Sequence, residues 1–166
     1  MATKDNLKTA FAGESQANRK YLAFAKKAER EGYPQVARLF RAAAEAETVH
    51  AQAHFRAMGG IKSTEDNLKE AIKGEGHEFQ QMYPQFLKEA QAEGDKAAAG
   101  SFSNALAVEE IHHGLYTDAL AALQAGADLP ADKIYVCSVC GNTVLGEPPQ
   151  VCPVCGAAKN KFNEVK

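Results

Sequence analysis

A four-helix bundle followed by a small C-terminal metal-binding domain is the fold class this sequence predicts, and three observations support it. The composition divides the chain. Residues 1–126 are rich in Ala, Glu, Lys and Gln with few β-branched residues, which favours helices, whereas Pro, Gly, Val and Cys dominate from Leu129 onward. Within the first part, four long segments separated by breakers carry apolar residues at helical spacing. All four cysteines lie in the tail, as Cys137-x2-Cys140 and Cys152-x2-Cys155. The expected domains are 1–128 and 129–166, joined by a short linker around Ala127–Lys133.

The breakers define the elements in order. Gly32-Tyr33-Pro34 ends the first helix and starts the second, with Pro34 at the first helical position, where a missing N–H costs nothing. Gly59-Gly60 ends the second. Ser63 or Thr64 can cap the third, Gly94-Asp95 separates the third from the fourth, and Gly126 closes the fourth. Pro84 lies inside the third and predicts a kink there.

At 166 residues the chain can bury one good core and carry an appendage. A hydrophobic content of 45% and a net charge of −2 describe an ordinary soluble protein. No basic surplus points to nucleic acid, and no acidic tail points to disorder. The first residues, MATKDNLKTAF, lack the apolar run of a signal peptide, and no stretch approaches ~18 consecutive apolar residues. The expectation is a cytoplasmic protein without a membrane partner.

On a helical wheel each segment shows one largely apolar stripe. The first runs Leu7, Ala10, Phe11, Glu14, Ala17, Tyr21, Ala25, Ala28. The second runs Val36, Phe40, Ala43, Glu47, His50, His54. The third runs Leu68, Ala71, Ile72, Glu75, Glu78, Phe79, Met82, Phe86, and the fourth Phe102, Ala105, Glu109, His112, Tyr116, Leu120, Leu123. A glutamate interrupts every stripe near its middle. Glutamates on helices are ordinarily solvated, and Glu29, Glu31, Glu45 and Glu89 read that way. Four buried together would repel one another at a cost of several kcal/mol each, which only a cation or protonation relieves.

The separations Glu14–Glu47 and Glu75–Glu109 differ by one residue, and their midpoints fall near the breaks at Gly32 and Gly94. Antiparallel hairpins therefore bring each pair level. The second and fourth helices add a histidine three residues after the glutamate, on the same face. One Glu plus Glu-x-x-His, given twice, is the ligand set of a carboxylate-bridged di-metal centre. Glu110-x2-His113 lies on a more polar stripe, through Ser103, Gly114 and Thr117, so Glu109 and His112 are the better pair. His77 reads as solvated. His54 lies about 10 Å from Glu47 along the helix and reads as support or core rather than ligand.

Glu78, one turn after Glu75, is a fifth carboxylate. Two ferric ions carry charge that four carboxylates leave uncompensated, and hard oxygen suits ferric iron while imidazole suits ferrous iron. A site holding Glu78 and His50 could exchange one for the other with oxidation state. In the tail, Val136-Cys137-Ser138-Val139-Cys140-Gly141 and Val151-Cys152-Pro153-Val154-Cys155-Gly156 form two knuckles. Two disulfides are conceivable, but paired CxxC reads as a tetrahedral all-sulfur site for zinc or iron.

The stretches AFAGESQANRKY, EAETVH, GEGHEFQQMYP and AVEEIH, followed by VCSVCG and VCPVCG, resemble the motifs of the rubrerythrin family over nearly the whole chain. The resemblance implies a ferritin-like di-iron bundle joined to a rubredoxin-like β domain that holds one iron, with zinc possible as prepared. It also implies a non-haem peroxidase that reduces hydrogen peroxide to water. Glu14, Glu47, His50, Glu75, Glu78, Glu109 and His112 match the family's di-iron positions, with Glu78 and His50 its exchanging pair. Tyr21 and Tyr83 match tyrosines near its site, and Cys137, Cys140, Cys152 and Cys155 match its four-cysteine iron site. Electrons are expected to come from an external nicotinamide-dependent reductase or a rubredoxin, since the chain has no Gly-rich nucleotide fingerprint. A ferroxidase or iron-storage role and a structural zinc-ribbon protein are the alternatives.

A two-fold relation between the half-sites makes the second and third helices parallel. A connection within one chain would then have to span roughly 40 Å. Gly59–Thr64 reaches only about 20 Å at ~3.3 Å per residue. The expectation is a domain-swapped homodimer; a simple up-down-up-down bundle is the rival.

Overall fold

The computed structural model describes residues 2–130 and 132–166; Ala131, within the expected linker, lies outside them. Helices α1 (Ala2–Arg30) and α2 (Pro34–Ala57) form a hairpin. They are followed by α3 (Thr64–His77), a π-helical turn (Glu78–Met82), α4 (Tyr83–Glu93) and α5 (Lys96–Gln124). The tail supplies β1 (Ile134–Cys137), β2 (Thr143–Leu145) and β3 (Phe162–Val165), an antiparallel sheet of order β2-β1-β3. The expected fold class holds: a helical part, then a small β domain with the cysteines. No helix among the described residues is long and apolar enough to cross a membrane.

Local chemistry sets the boundaries. Pro34 opens α2. Ser63, rather than Thr64, caps α3, its hydroxyl accepting the Asp66 N–H at 3.1 Å. Gly94 ends α4 in the left-handed region at φ 75°, where an L side chain is strained, and Asp95 then caps α5 by accepting the Ala98 N–H at 2.9 Å. Gly60 lies so close to the Phe55 ring that a Cβ would overlap it. The expected kink takes a specific form. Pro84 lacks an N–H and its ring crowds the carbonyl one turn back, and the helix widens into a π turn just ahead of it. The Tyr83 N–H bonds the Glu78 carbonyl across that turn.

The chain divides into two compact units at Lys62–Ser63. In the first, alanines form the core: Ala25 and Ala28 of α1, and Ala37, Ala44 and Ala51 of α2, are buried. The α2 alanines recur every seven residues, a spacing that keeps one seam of a helix against its neighbour. Asn18 fixes the register, donating to the Ala44 carbonyl at 2.7 Å and to Thr48 Oγ1 at 2.9 Å. Phe11 stacks on Phe55 with centroids 5.1 Å apart, and Tyr21, Phe24 and Phe40 cluster beyond Asn18. The buried seam differs from the predicted stripe. Val36 remains 45% exposed and the His50 side chain 55%, because two helices bury only one seam against each other.

In the second unit, α3 and α4 pack on α5, with Tyr83 and Phe86 against Phe102 and with Phe79 edge-on to His113. Gly76, Ala90 and Val108 are buried there. Cys137, Cys152 and Phe162 make the core of the β domain. That domain rests on α5: β2 runs beside the helix, and a Cβ at Gly141 would stand 3.7 Å from Val108 Cγ1.

Candidate metal centres

Glu14 from α1 and Glu47 and His50 from α2 each bring a ligand atom within 4.8 Å of the others. His50 Nδ1 lies 3.3 Å from Glu47 Oε2 and 4.0 Å from Glu14 Oε1. The two carboxyls share a hydrogen bond. It holds Glu14 above the ordinary carboxyl range, with burial and the Glu47 charge adding to the effect. The same bond holds Glu47 below that range against the opposing pull of burial, with help from His50. The pairing favours a proton on Glu14 over one on Glu47, and a cation bound between the two carboxyls could take its place.

The second unit repeats the arrangement. Glu75 of α3 with Glu109 and His112 of α5 form another group within 4.8 Å, and His112 Nδ1 stands 2.8 Å from Glu109 Oε2 and 3.9 Å from Glu75 Oε1. Burial, and then the charge of Glu109, push the Glu75 carboxyl up to about 7. Glu78 begins the π turn and lies outside this group. Its carboxyl is held high by burial and by Glu109. Tyr83 keeps its phenol proton beyond the usual range because it is buried and faces the charges of Glu78, Glu109 and Glu75. Acids and an imidazole this close within each group, with so little countercharge, fit a di- or trivalent cation.

The remaining candidates fall elsewhere. Tyr21 makes ring contacts with Phe24 and Phe40. His54 is half-buried and influences Glu14 only through charge. His77 and Glu110 are exposed, and His113 packs its ring on Phe79.

Glu75 has a consequence for metal-free protein. Its folded carboxyl retains a proton to about pH 7, whereas the unfolded one releases it near 4.5. The folded chain therefore binds more protons between those values. This contribution to stability is complete below the unfolded value and is lost as pH rises through about 7. Thermal unfolding of the metal-free chain should show Tm falling from about pH 5 to 7, with a shallower slope in Glu75→Gln. A Tm that rises across that window with the same slope in both proteins would contradict it.

The four cysteines form a third group. Cys137 and Cys155 sulfurs are 3.7 Å apart, and those of Cys140 and Cys152 are 3.6 Å apart. A tetrahedral ion with bonds of about 2.3 Å needs sulfur separations of about 3.8 Å. The knuckles close through Gly141 N–H to the Cys137 carbonyl and Gly156 N–H to the Cys152 carbonyl, both 2.9 Å. Burial resists ionisation of Cys152, but the N–H groups of Cys155 and Val154 and the amide of Asn142 outweigh it and draw the thiol down to about 6. Burial pushes Cys140 up to about 12. Only a bound cation lets all four become thiolates together.

The family profile described as "Rubrerythrin" matches residues 5–120, and "Rubrerythrin, rubredoxin-like domain" matches residues 135–163. The chain belongs to the rubrerythrin family. Rubrerythrin-2 of Clostridium acetobutylicum is 40% identical, over 96% of this chain and 95% of its own. Nigerythrin of Nitratidesulfovibrio vulgaris is 36% identical, over 97% and 85%. A solved structure of nigerythrin in its partially reduced state superimposes with a TM-score of 0.59 at 35% identity, covering 98% of this chain and 86% of that one. Another shows nigerythrin fully reduced, all ferrous, with the same score and coverage. Both rubrerythrin-type donor sets, carboxylate–imidazole for a di-iron centre and four-cysteine for a single iron, are present in this chain.

Sequence reasoning missed three polar side chains. Asn18 ties α1 to α2, Asn142 is buried and donates to Cys152 Sγ at 3.6 Å, and Thr143 meets His112 at 2.9 Å. Asn18 falls on the face of the first stripe, seven residues from both Phe11 and Ala25, so helical spacing did mark it; Asn142 and Thr143 lie outside the helices, where that spacing gives no signal.

Proposed function

We propose that the chain is a non-haem di-iron peroxidase that reduces hydrogen peroxide to water in defence against oxidative stress. One observation supports this reading above all: two Glu/Glu-x-x-His groups and a four-cysteine group lie in one family chain. The reaction takes H2O2, two electrons and two protons to two waters. Bound at the carboxylates, two ferrous ions would supply both electrons and the Lewis acidity for O–O cleavage. Glu14, Glu47 and His50 would hold metal together with Glu75, Glu109 and His112, and Glu78 would alternate with His50 at one ion. Burial and the Glu109 charge favour the protonated form of Glu78, and the Tyr83 phenol lies near the same charges; both would be placed to pass a proton to departing oxygen. Tyr21 supports the opposite hairpin by packing. Cys137, Cys140, Cys152 and Cys155 would hold the iron that returns electrons singly, drawn from a nicotinamide-dependent reductase or a rubredoxin.

The bundle assigned to 1–128 is completed, in this proposal, by a second copy. Each compact unit holds one Glu/Glu-x-x-His group and leaves apolar side chains such as Leu39 and Val49, or Phe86 and Leu123, exposed. A domain-swapped homodimer joins Glu14, Glu47 and His50 of one chain to Glu75, Glu78, Glu109 and His112 of its partner. Co-refolding Glu47→Ala with Glu109→Ala chains tests the exchange. Heterodimers should carry one intact and one doubly damaged site and recover part of the activity. Verified heterodimers with no recovery would exclude the swap.

Anaerobic reduction followed by one equivalent of peroxide tests the activity itself. Stoichiometric peroxide loss with oxidation of two bundle irons is expected. Oxidation by oxygen with release or accumulation of iron would instead favour a ferroxidase, a role for which the fused four-cysteine domain is superfluous. A protein with no iron–thiolate bands in any preparation would favour a structural zinc-ribbon.

A further inference from the structure

We propose that Thr143 of the rubredoxin-like domain is a positioning residue for His112. It fixes which imidazole nitrogen is offered to metal. The inference rests on the reading of Glu75, Glu109 and His112 as metal ligands and extends it to a residue outside the helices.

A count of hydrogens leads to it. Thr143 has one hydroxyl proton and two lone pairs. The Gly141 carbonyl, 3.2 Å from Thr143 Oγ1, can only accept, so the hydroxyl donates to it. A lone pair of Oγ1 then faces His112 Nε2 at 2.9 Å, and Nε2 must carry a hydrogen to donate. Nδ1 is the nitrogen directed at Glu109 Oε2, 2.8 Å away, and at Glu75 Oε1; a bound cation would take the place of the proton shared there, which makes Nδ1 the metal-binding nitrogen. Ligating histidines are commonly oriented through their second nitrogen in this way.

The orienting group belongs to the other metal's domain. Gly141 follows Cys140, and its N–H bonds the Cys137 carbonyl to close the first knuckle. The hydrogen-bonded path therefore runs from that knuckle through Gly141 and Thr143 to His112. His50 has no counterpart among the described residues, where its hydrogen bonding is from Nδ1 to Glu47. Among the described residues the two Glu-x-x-His histidines are thus unequal: His112 is held from the β domain as well as by its glutamate, His50 by its glutamate.

The test uses the full-length chain with 15N-labelled histidine, metal-free and loaded with zinc. In the wild type, the His112 Nε2–H should exchange slowly with solvent in both states. In Thr143→Val this exchange should accelerate at least about tenfold, and zinc affinity at the carboxylate site should fall about 10- to 100-fold by chelator competition. The four-cysteine site should load normally, and Thr143→Ser should restore both properties. Exchange and affinity unchanged in Thr143→Val would overturn the proposal, as would a serine variant that behaves like valine. If Thr143→Val disturbs the β domain, the wild type still decides, because rapid Nε2–H exchange there would exclude the bridge. If zinc fails to bind the carboxylates in wild type, the di-metal reading falls, whereas proton exchange in the metal-free chain still judges Thr143.

Discussion

Glu47→Ala or Glu109→Ala should strip the carboxylate site of iron and lower peroxidase activity at least about 100-fold, a loss greater than removing a ligand's supporting partner causes. Each glutamate lies between a second carboxylate and a histidine nitrogen, 3.3 Å from His50 in one unit and 2.8 Å from His112 in the other. In the proposed site it would hold metal beside both the other carboxylate and the imidazole, and its loss would remove that shared negative charge. Iron per chain should drop by two while the iron–thiolate bands persist, since the cysteines lie in a separate core. Glu78→Ala should be milder. Its carboxyl stands outside the close group, so iron should bind and turnover should slow. Two bundle irons and full activity in Glu47→Ala would refute the di-iron assignment.

Replacing Cys137 and Cys140 by Ser should abolish the iron–thiolate spectrum and all turnover driven by a reductase. Cys137 is 1% exposed and anchors the β-domain core with Cys152 and Phe162, so the pair supplies structure as well as sulfur. A chemically reduced variant should nonetheless consume one equivalent of peroxide, because every carboxylate and imidazole remains. Stopped-flow mixing with peroxide and a parallel steady-state assay with reductase separate the two steps. Loss of the single turnover in folded protein would mean that the cysteine domain does more than deliver electrons. The Thr143 contact gives one reason why it could.

Much of this site could be read from sequence because it depends on periodicity. The Glu14–Glu47 and Glu75–Glu109 levels follow from hairpin geometry, and Glu-x-x-His places its side chains on one face whatever surrounds it. The π turn was less visible. Pro84 announces a disturbance, but whether a helix kinks or widens depends on which carbonyl it must avoid. The seam that α2 buries against α1 lies beside the stripe read from sequence, for a related reason. Val36 and Phe40 looked more apolar than Ala37 and Ala44, yet close helix contact selects small side chains over hydrophobic ones. Thr143 could not be found, because its partner is more than thirty residues away on another element.

The alanine seam of the first unit acts as a spacer gauge. With Ala37, Ala44 and Ala51 as the filling, the distance between α1 and α2 is set by single methyl groups. That distance also sets the gap between Glu14 and Glu47. Enlarging Ala44 to valine would thus part the two carboxyls of the proposed site as well as strain a core.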